Sequence, residues 1–532
     1  MVLSGLLLAI GAVRAAPPGE DSFHFPSTGV AVGREAVLLS IDEYLLPLRE
    51  NVSYYLTRPT SRPEPVLRPS AEDPRAPDQA AAHFYGTVLR DGGKFRMWYY
   101  SLRLASQDEA RGMDAKFEGL HQGPVCYAES EDGITWIKPK LGQVEINGSR
   151  ENNAILLPDD RCTAVLIIKD DDDPDPNRRY KMVYNPWNGR TFTIRNATSP
   201  DGLRWTAAPA YGTDEGEDTA LRGIEISSFY KFNGLYVVNG ARQTPSEGGH
   251  RAGRQGKAFV SKDFNRWFGG VTGAFLLPEP ADPAARGSRE PYDQVHLGVG
   301  GVSLGNVLVG LYGIWHNQKG GAANLGTSAD LGLLVSNDGL HFREPVKGHV
   351  FLSRFDAAAT PYPGGNFNTI LVQSGNGIIN VGDETRIYHG RWLHADVGQG
   401  YSGEIGLATL PRDRWGALGL YPESFPTHRS HGSVWSAPVR LPAGGGQVVL
   451  NADHAARLSV EISDADFELL PGFSGGNAGK TRAAGGLDCV VAWPRTGLAA
   501  LGGQTVRFKI NFAKQGAADP RLYAVYLRAG GE

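Results

Sequence analysis

Apolar and polar positions alternate with a period of two along most of this chain, in runs of the length of ordinary strands, and helical periodicity is almost absent. The runs come in sets, and each set closes on one signal, S-x-D-G-x-x-W. Its copies are Ser130-Glu-Asp132-Gly133-Ile-Thr-Trp136, Ser199-Pro-Asp201-Gly202-Leu-Arg-Trp205, Ser261-Lys-Asp263-Phe-Asn-Arg-Trp267 and Ser336-Asn-Asp338-Gly339-Leu-His-Phe342, with a degenerate fifth, Thr409 to Trp415. Asp-Gly supplies a turn that accepts positive φ, the Ser and Asp side chains can satisfy turn N–H groups, and the aromatic residue packs between neighbouring sheets. Upstream of each copy come an apolar strand, an aromatic-rich strand such as Lys94 to Tyr99 or Arg179 to Tyr184, and an innermost strand. The innermost strands are His83 to Leu89, Thr163 to Lys169, Ile226 to Lys231, Val295 to Leu304 and Thr369 to Val381, the last broken by Ser-Gly-Asn-Gly. Five evenly spaced sets predict an all-β chain with a five-bladed β-propeller over residues 75–428.

From Ser433 the rhythm changes to short alternating strands, among them Gln447 to Leu450, Arg457 to Ile462, Thr505 to Ile510 and Leu522 to Leu527. That pattern predicts a C-terminal β-sandwich over 433–532. Residues 17–74 are then an N-terminal extension leading into blade one.

Composition narrows the function. The 532 residues carry a net charge of −4, so no basic field is available to hold nucleic acid or an anionic membrane. Residues 1–16 hold a short apolar core and a Val-x-Ala end like a signal-peptidase site, which predicts a secreted or periplasmic protein. No other segment approaches the ~20 apolar residues of a membrane-spanning helix. The three cysteines, Cys126, Cys162 and Cys489, suit buried thiols better than a disulfide framework or a zinc site. Asn51, Asn147 and Asn196 begin glycosylation sequons, which matter only in a eukaryotic host. No cofactor is expected. The acidic run Asp170 to Asp175 reads as a solvated turn, with a bound calcium ion as the alternative.

Strand alternation sorts the loops by face. Innermost-strand starts and the loops between second and third strands share one face; the S-x-D-G hairpins lie on the other, so their Asp residues are structural. The first face carries Tyr100, Arg103, Trp187, Arg242, Trp315, His316, His389, Arg391 and Trp392. Rings mixed with hydrogen-bonding groups are what a sugar pocket needs, so substrate binding is expected at Arg103, Trp187, Arg242, Trp315, His316, Arg391 and Trp392. Glycosidic cleavage also needs two carboxylates. The candidates are Asp78, Asp160, Glu225 and Asp293. Glu225 stands between two isoleucines at the head of an inner strand, a desolvated setting of the kind a general acid needs. His296 and His389 could ligate a central cation, although hydrogen-bonded core histidines fit them better.

A five-bladed propeller followed by a sandwich, with His83-Phe-Tyr-Gly-Thr-Val-Leu89, Val295-His-Leu-Gly298, Val448 to Asp453 and Val460 to Asp466, resembles glycoside hydrolase family 32 and, more loosely, family 43. It is nearest to uncharacterised family 32-like bacterial proteins. The resemblance implies a secreted hydrolase, exo-acting on a furanoside or a glycan end, with Asp78 as nucleophile or base, Asp160 as stabiliser and Glu225 as acid. The N-D-P-N-G, R-D-P and E-C boxes of family 32 are absent, which keeps a non-catalytic carbohydrate-binding propeller as the rival.

Overall fold

The computed structural model describes residues 21–105, 119–186, 193–208, 224–245, 251–275, 294–316, 328–357, 369–373, 375–393 and 401–530. The fold is all-β: among these residues the only α-helix is the four-residue Arg354–Ala357.

Five antiparallel units follow one another in the chain. The first is Ala81–Asp91, Lys94–Leu104 and Leu120–Ser130, edged by single bridges from Ile137 and Ala154. The second is Cys162–Lys169, Tyr180–Pro186, Arg195–Ser199 and Thr206–Ala207, and the third is Glu225–Phe232, Leu235–Pro245, Arg251–Ser261 and Trp267–Phe275. The fourth runs from Gln294–Ser303 through Leu308–His316 and Ser328–Ser336 to Val350–Leu352. In the fifth, the inner strand is broken into Ile370–Val372 and Ile378–Val381, followed by Glu384–Leu393 and Ser402–Pro411. Its outermost strand, Thr60–Ser61, comes from ahead of the first unit and ties the two ends of the series together.

The hairpins are built as their sequence implies. In the first, Asp132 Oδ1 accepts from the N–H groups of Ile134 (2.8 Å) and Thr135 (2.7 Å), and Ser130 Oγ accepts from Gly133 N at 2.8 Å. Asp201, Asp263 and Asp338 repeat the arrangement. Each hairpin also hands a carbonyl to the preceding unit: Gly133 O accepts from Tyr388 Oη at 2.7 Å, Gly202 O from Trp98 Nε1 at 2.8 Å, Gly339 O from Tyr230 Oη at 2.9 Å. The third hairpin has Phe264 where the others have glycine, at φ +67°. Its ring is buried and stacks on Phe229 at 5.5 Å, which offsets the unfavourable backbone.

Every inner strand is irregular at the same level. Register shifts fall at His83/Thr87, Thr163/Val165, Ile226/Ser228 and His296/Val299, and the fifth strand is interrupted there. Polar side chains fill the resulting gaps. Asn376 donates to the carbonyls of Ile167 (3.0 Å) and Phe229 (2.7 Å) and accepts from Phe229 N at 3.1 Å, while its backbone pairs in parallel with Thr87. Thr87 Oγ1 bridges Val165 O and Ile167 N, and Gln373 Nε2 donates to Gly298 O at 2.7 Å. The five strands are thus knitted to one another through the middle of the series.

The remaining strands form two further sheets. The seven-stranded one contains His431–Trp435, Val439–Arg440, Leu458–Asp464 and Thr505–Ala513, and the six-stranded one Gln447–Asp453, Gly486–Val490 and Arg521–Arg528. Neither is wholly C-terminal. Phe23–Phe25, Val30–Val32 and Leu48–Glu50 join the first; Glu35–Leu39, Val52–Leu56 and Gly416–Leu420 join the second. The segment expected to be a lead-in therefore supplies strands to the same sheets, with Leu38 opposite Val525 and Ser40 N donating to Tyr523 O at 2.9 Å. One apolar cluster joins these sheets to units four and five, from Leu38, Val434, Val460 and Phe508 to Val309, Leu333 and Ile387.

Candidate functional site

Inner-strand starts come together around His83, two residues into the first inner strand and fully buried. Its cross-strand partner is Tyr100, whose hydroxyl meets His83 Nδ1, and Tyr401 Oη lies 2.5 Å from Nε2. The Trp392 indole stacks on the imidazole at 5.2 Å and 23°, and Tyr85 packs against both Trp392 and Tyr100 at 5.5 Å. Gly403 makes room for this: a β-carbon there would come within 2.5 Å of the His83 ring. Burial, helped by Tyr401 and Glu225, holds the Tyr100 hydroxyl far above its ordinary pKa, and burial does the same for Tyr401. Both hydroxyls therefore keep their protons.

Glu225 opens the inner strand of unit three, half-buried between the fully buried Ile224 and Ile226, and it is near enough to raise the Tyr100 pKa. Of the candidate carboxylates within the described residues, it is the one that lies within electrostatic reach of the aromatic cluster. Asp78 is elsewhere. Its side chain is completely buried, 2.5 Å from Lys138 Nζ, and accepts from Tyr99 Oη at 2.8 Å in the core beside unit five. Asp160 is exposed, and it is its backbone carbonyl that meets His121 Nε2 at 3.2 Å. Asp293 and Trp187 lie outside the described residues, as do the side chains of Arg242, Trp315, His316 and His296.

Among the expected sugar-binding residues, Trp392 is in the cluster, and Arg103, three residues after Tyr100 in strand Lys94–Leu104, is half-buried. Arg391 is not available. Its guanidinium is fully buried, donates to the carbonyls of Arg62 (2.8 Å) and Pro63 (3.0 Å), and faces Glu404 at 3.4 Å. Burial pushes the Glu404 carboxyl up against the pull of Arg391. His389, on the same side of the strand, is driven down to about 3 by burial and by Arg391, so it stays neutral. No cluster of His, Cys, Asp and Glu fit for a metal occurs among the described residues.

The acidic run is not the solvated turn expected. Asp171 and Asp172 are exposed, but Asp170 is buried and bonded to Tyr236 Oη and Lys231 Nζ (2.9 Å), and Asp173 to the fully buried Lys181 Nζ at 2.5 Å. Burial opposes the Asp170 charge, yet these partners hold its carboxyl below the ordinary value. Asp170 and Asp173 are thus each paired with a lysine ammonium group. This cluster edges a cavity of about 310 Å³ at the far ends of the inner strands, on the hairpin face, with Asn376 in its wall.

Sequence reasoning missed His83 and Tyr401 as the hub of the site. Alternation alone carries the signal for His83, a histidine among apolar residues at a strand start facing Tyr100 on the next strand.

No family model matches the chain. Two uncharacterized proteins of Mycobacterium tuberculosis, from strains CDC 1551 and H37Rv, are each 31% identical over 141 residues, 26% of this chain and 36% of theirs. The chain thus spans about a third of the length of the curated relatives it matches. Similar solved structures include one described as "The GH130 family of mannoside phosphorylases contains glycoside hydrolases that target beta-1,2 mannosidic linkages in Candida mannan", at 16% identity over 68% of this chain and 94% of that one, with a TM-score of 0.43. A glycosyl hydrolase from Bacteroides ovatus is 18% identical over 68% and 95%, TM-score 0.43. A family 43 arabinoxylan arabinofuranohydrolase from Bacillus subtilis is 13% identical over 84% and 96%, TM-score 0.36.

Proposed function

We propose that this chain is a glycan-active enzyme, a five-bladed β-propeller with a β-sandwich, that cleaves a glycosidic bond at the mouth around His83. The observation that carries this reading is Glu225, at the head of an inner strand and within electrostatic reach of Tyr100 in a cluster of aromatic rings. Aromatic rings suit sugar C–H faces and tyrosine hydroxyls suit sugar hydroxyls; His83, Tyr85, Tyr100 and Trp392 are buried against one another, so in this reading they underlie the mouth while the half-buried Glu225 reaches it. As general acid Glu225 gives a proton to the glycosidic oxygen as the C–O bond breaks, and a second carboxylate attacks the sugar carbon or activates water. Asp293, next to the start of the adjacent inner strand in sequence, is our choice for that partner. The substrate is the end of a glycan, a furanoside first, and residues 1–16 direct the chain to the periplasm or outside the cell.

The test is Glu225→Gln, assayed on aryl glycosides and polysaccharides. The amide keeps the shape and cannot donate, so the variant folds, binds substrate and loses about 10²–10⁴ in kcat. Near-normal turnover removes Glu225 from the mechanism. A glycan-binding mouth without catalysis is the second reading, and it draws support from Asp78, whose carboxylate is committed to Lys138.

A further inference from the structure

The outer face of the seven-stranded sheet carries aromatic rings that its fold covers only in part, with Trp435 half-buried under the Lys509 ammonium at 5.3 Å. Trp435, Lys509 and Glu461 stand side by side on three adjacent strands, with Leu48 paired on the far side of Trp435. Their neighbours Val434, Phe508, Ile510, Val460 and Ile462 point into the core, which fixes this row outward. Phe467 joins the row from the turn after Asp464. Its φ is +71°, a region that a residue with a β-carbon enters only at a cost. The turn is held there by Asp464 Oδ1, which accepts from Asp466 N (2.9 Å) and Glu468 N (3.0 Å), and by Arg507 Nε on Ala465 O at 2.8 Å. The result is a ring 39% exposed, edge-on to Trp435 at 5.2 Å and 77°, with Arg507 at 4.1 Å over it. Strain that delivers a ring to solvent, beside an aromatic partner on a rigid sheet, has no return in packing comparable to that of Phe264.

We propose that Trp435 and Phe467 form a second glycan-binding site, separate from the mouth, that takes a neutral sugar chain. Sugar C–H faces lie on the rings. The hydroxyls meet a polar frame that is already set: Glu461 accepts from Asn511 Nδ2 (2.9 Å) and Gly475 N (2.8 Å), with Lys509 Nζ at 3.5 Å. The apolar part is two rings and Leu48, the footprint of one or two sugars, whereas a stable protein interface needs about 800 Å² from each partner. Binding here is independent of turnover, so the site stands or falls apart from Glu225.

The experiment is electrophoresis of the full chain through native gels containing galactomannan, arabinoxylan or levan. At least one polysaccharide retards the protein, and Phe467→Gly and Trp435→Ala each weaken that retardation about tenfold, the worth of one stacked ring. Glycine adopts φ +71° freely, so Phe467→Gly keeps its melting temperature and its activity at the mouth. Absence of retardation by all three polymers, or retardation untouched by both variants, overturns the proposal. So does a concentration-dependent dimer that Phe467→Gly abolishes, which would assign the patch to a second copy of the chain.

Discussion

The side chain of Asp132 does the work of a turn. It accepts two backbone N–H groups and the hydroxyls of Ser130 and Thr135, and those donors, the Thr135 N–H first, hold its carboxyl at about 2. Asp132→Ala should cost about 1–2 kcal/mol at neutral pH while leaving turnover per folded molecule unchanged. Because the folded pKa lies below the ordinary 3.8, the contribution is complete above that value and fades as pH falls towards 2. Urea unfolding of the two proteins should therefore differ most above pH 5 and converge near pH 2; a gap that persists in acid would rule out the carboxylate as its source. This residue was legible because its role is local, set within a few positions of the chain. Asp78 was not. Its partner Lys138 arrives from 60 residues away, and no spacing rule anticipates a contact of that range.

Inner strands were legible for the same reason. Thr163 to Lys169 was expected and Cys162–Lys169 is found; Ile226 to Lys231 was expected and Glu225–Phe232 is found. Alternation and Asp-Gly turns act within a strand and its hairpin. What closes the five-unit series is different in kind: a two-residue strand, Thr60–Ser61, too short to carry a pattern, secured by Arg391 through the carbonyls of Arg62 and Pro63. Sequence placed Arg391 among sugar-binding groups because arginine in a strand near an open face is ambiguous until its neighbours are known. Arg391→Met removes one member of a buried ion pair and strands Glu404, so it should destabilise the protein by about 3–5 kcal/mol. A melting curve superimposable on wild type would show that the strand is held by other means.

At the scale of the whole molecule, the two ends of the chain share their sheets. Residues 433–532 expressed alone lack six strands, Phe23–Phe25, Val30–Val32, Glu35–Leu39, Leu48–Glu50, Val52–Leu56 and Gly416–Leu420, and leave Val525, Leu527 and Phe508 uncovered. This fragment should give the narrow amide dispersion of an unfolded chain by NMR, and addition of a peptide spanning 21–57 should restore part of the spectrum. Autonomous folding of the fragment would mean that the N-terminal strands are dispensable trim. No sequence pattern announces partners 482 residues apart, as Ser40 and Leu522 are, and strands of three residues leave no period to detect. Asn376 ties three inner strands together across the middle of the five-unit series. On the reading proposed for Glu225, a glycan that enters beside His83 would meet this knot of strands and leave by the way it came. Widening the floor at Asn376 would not open a second door without unpicking the strands it joins.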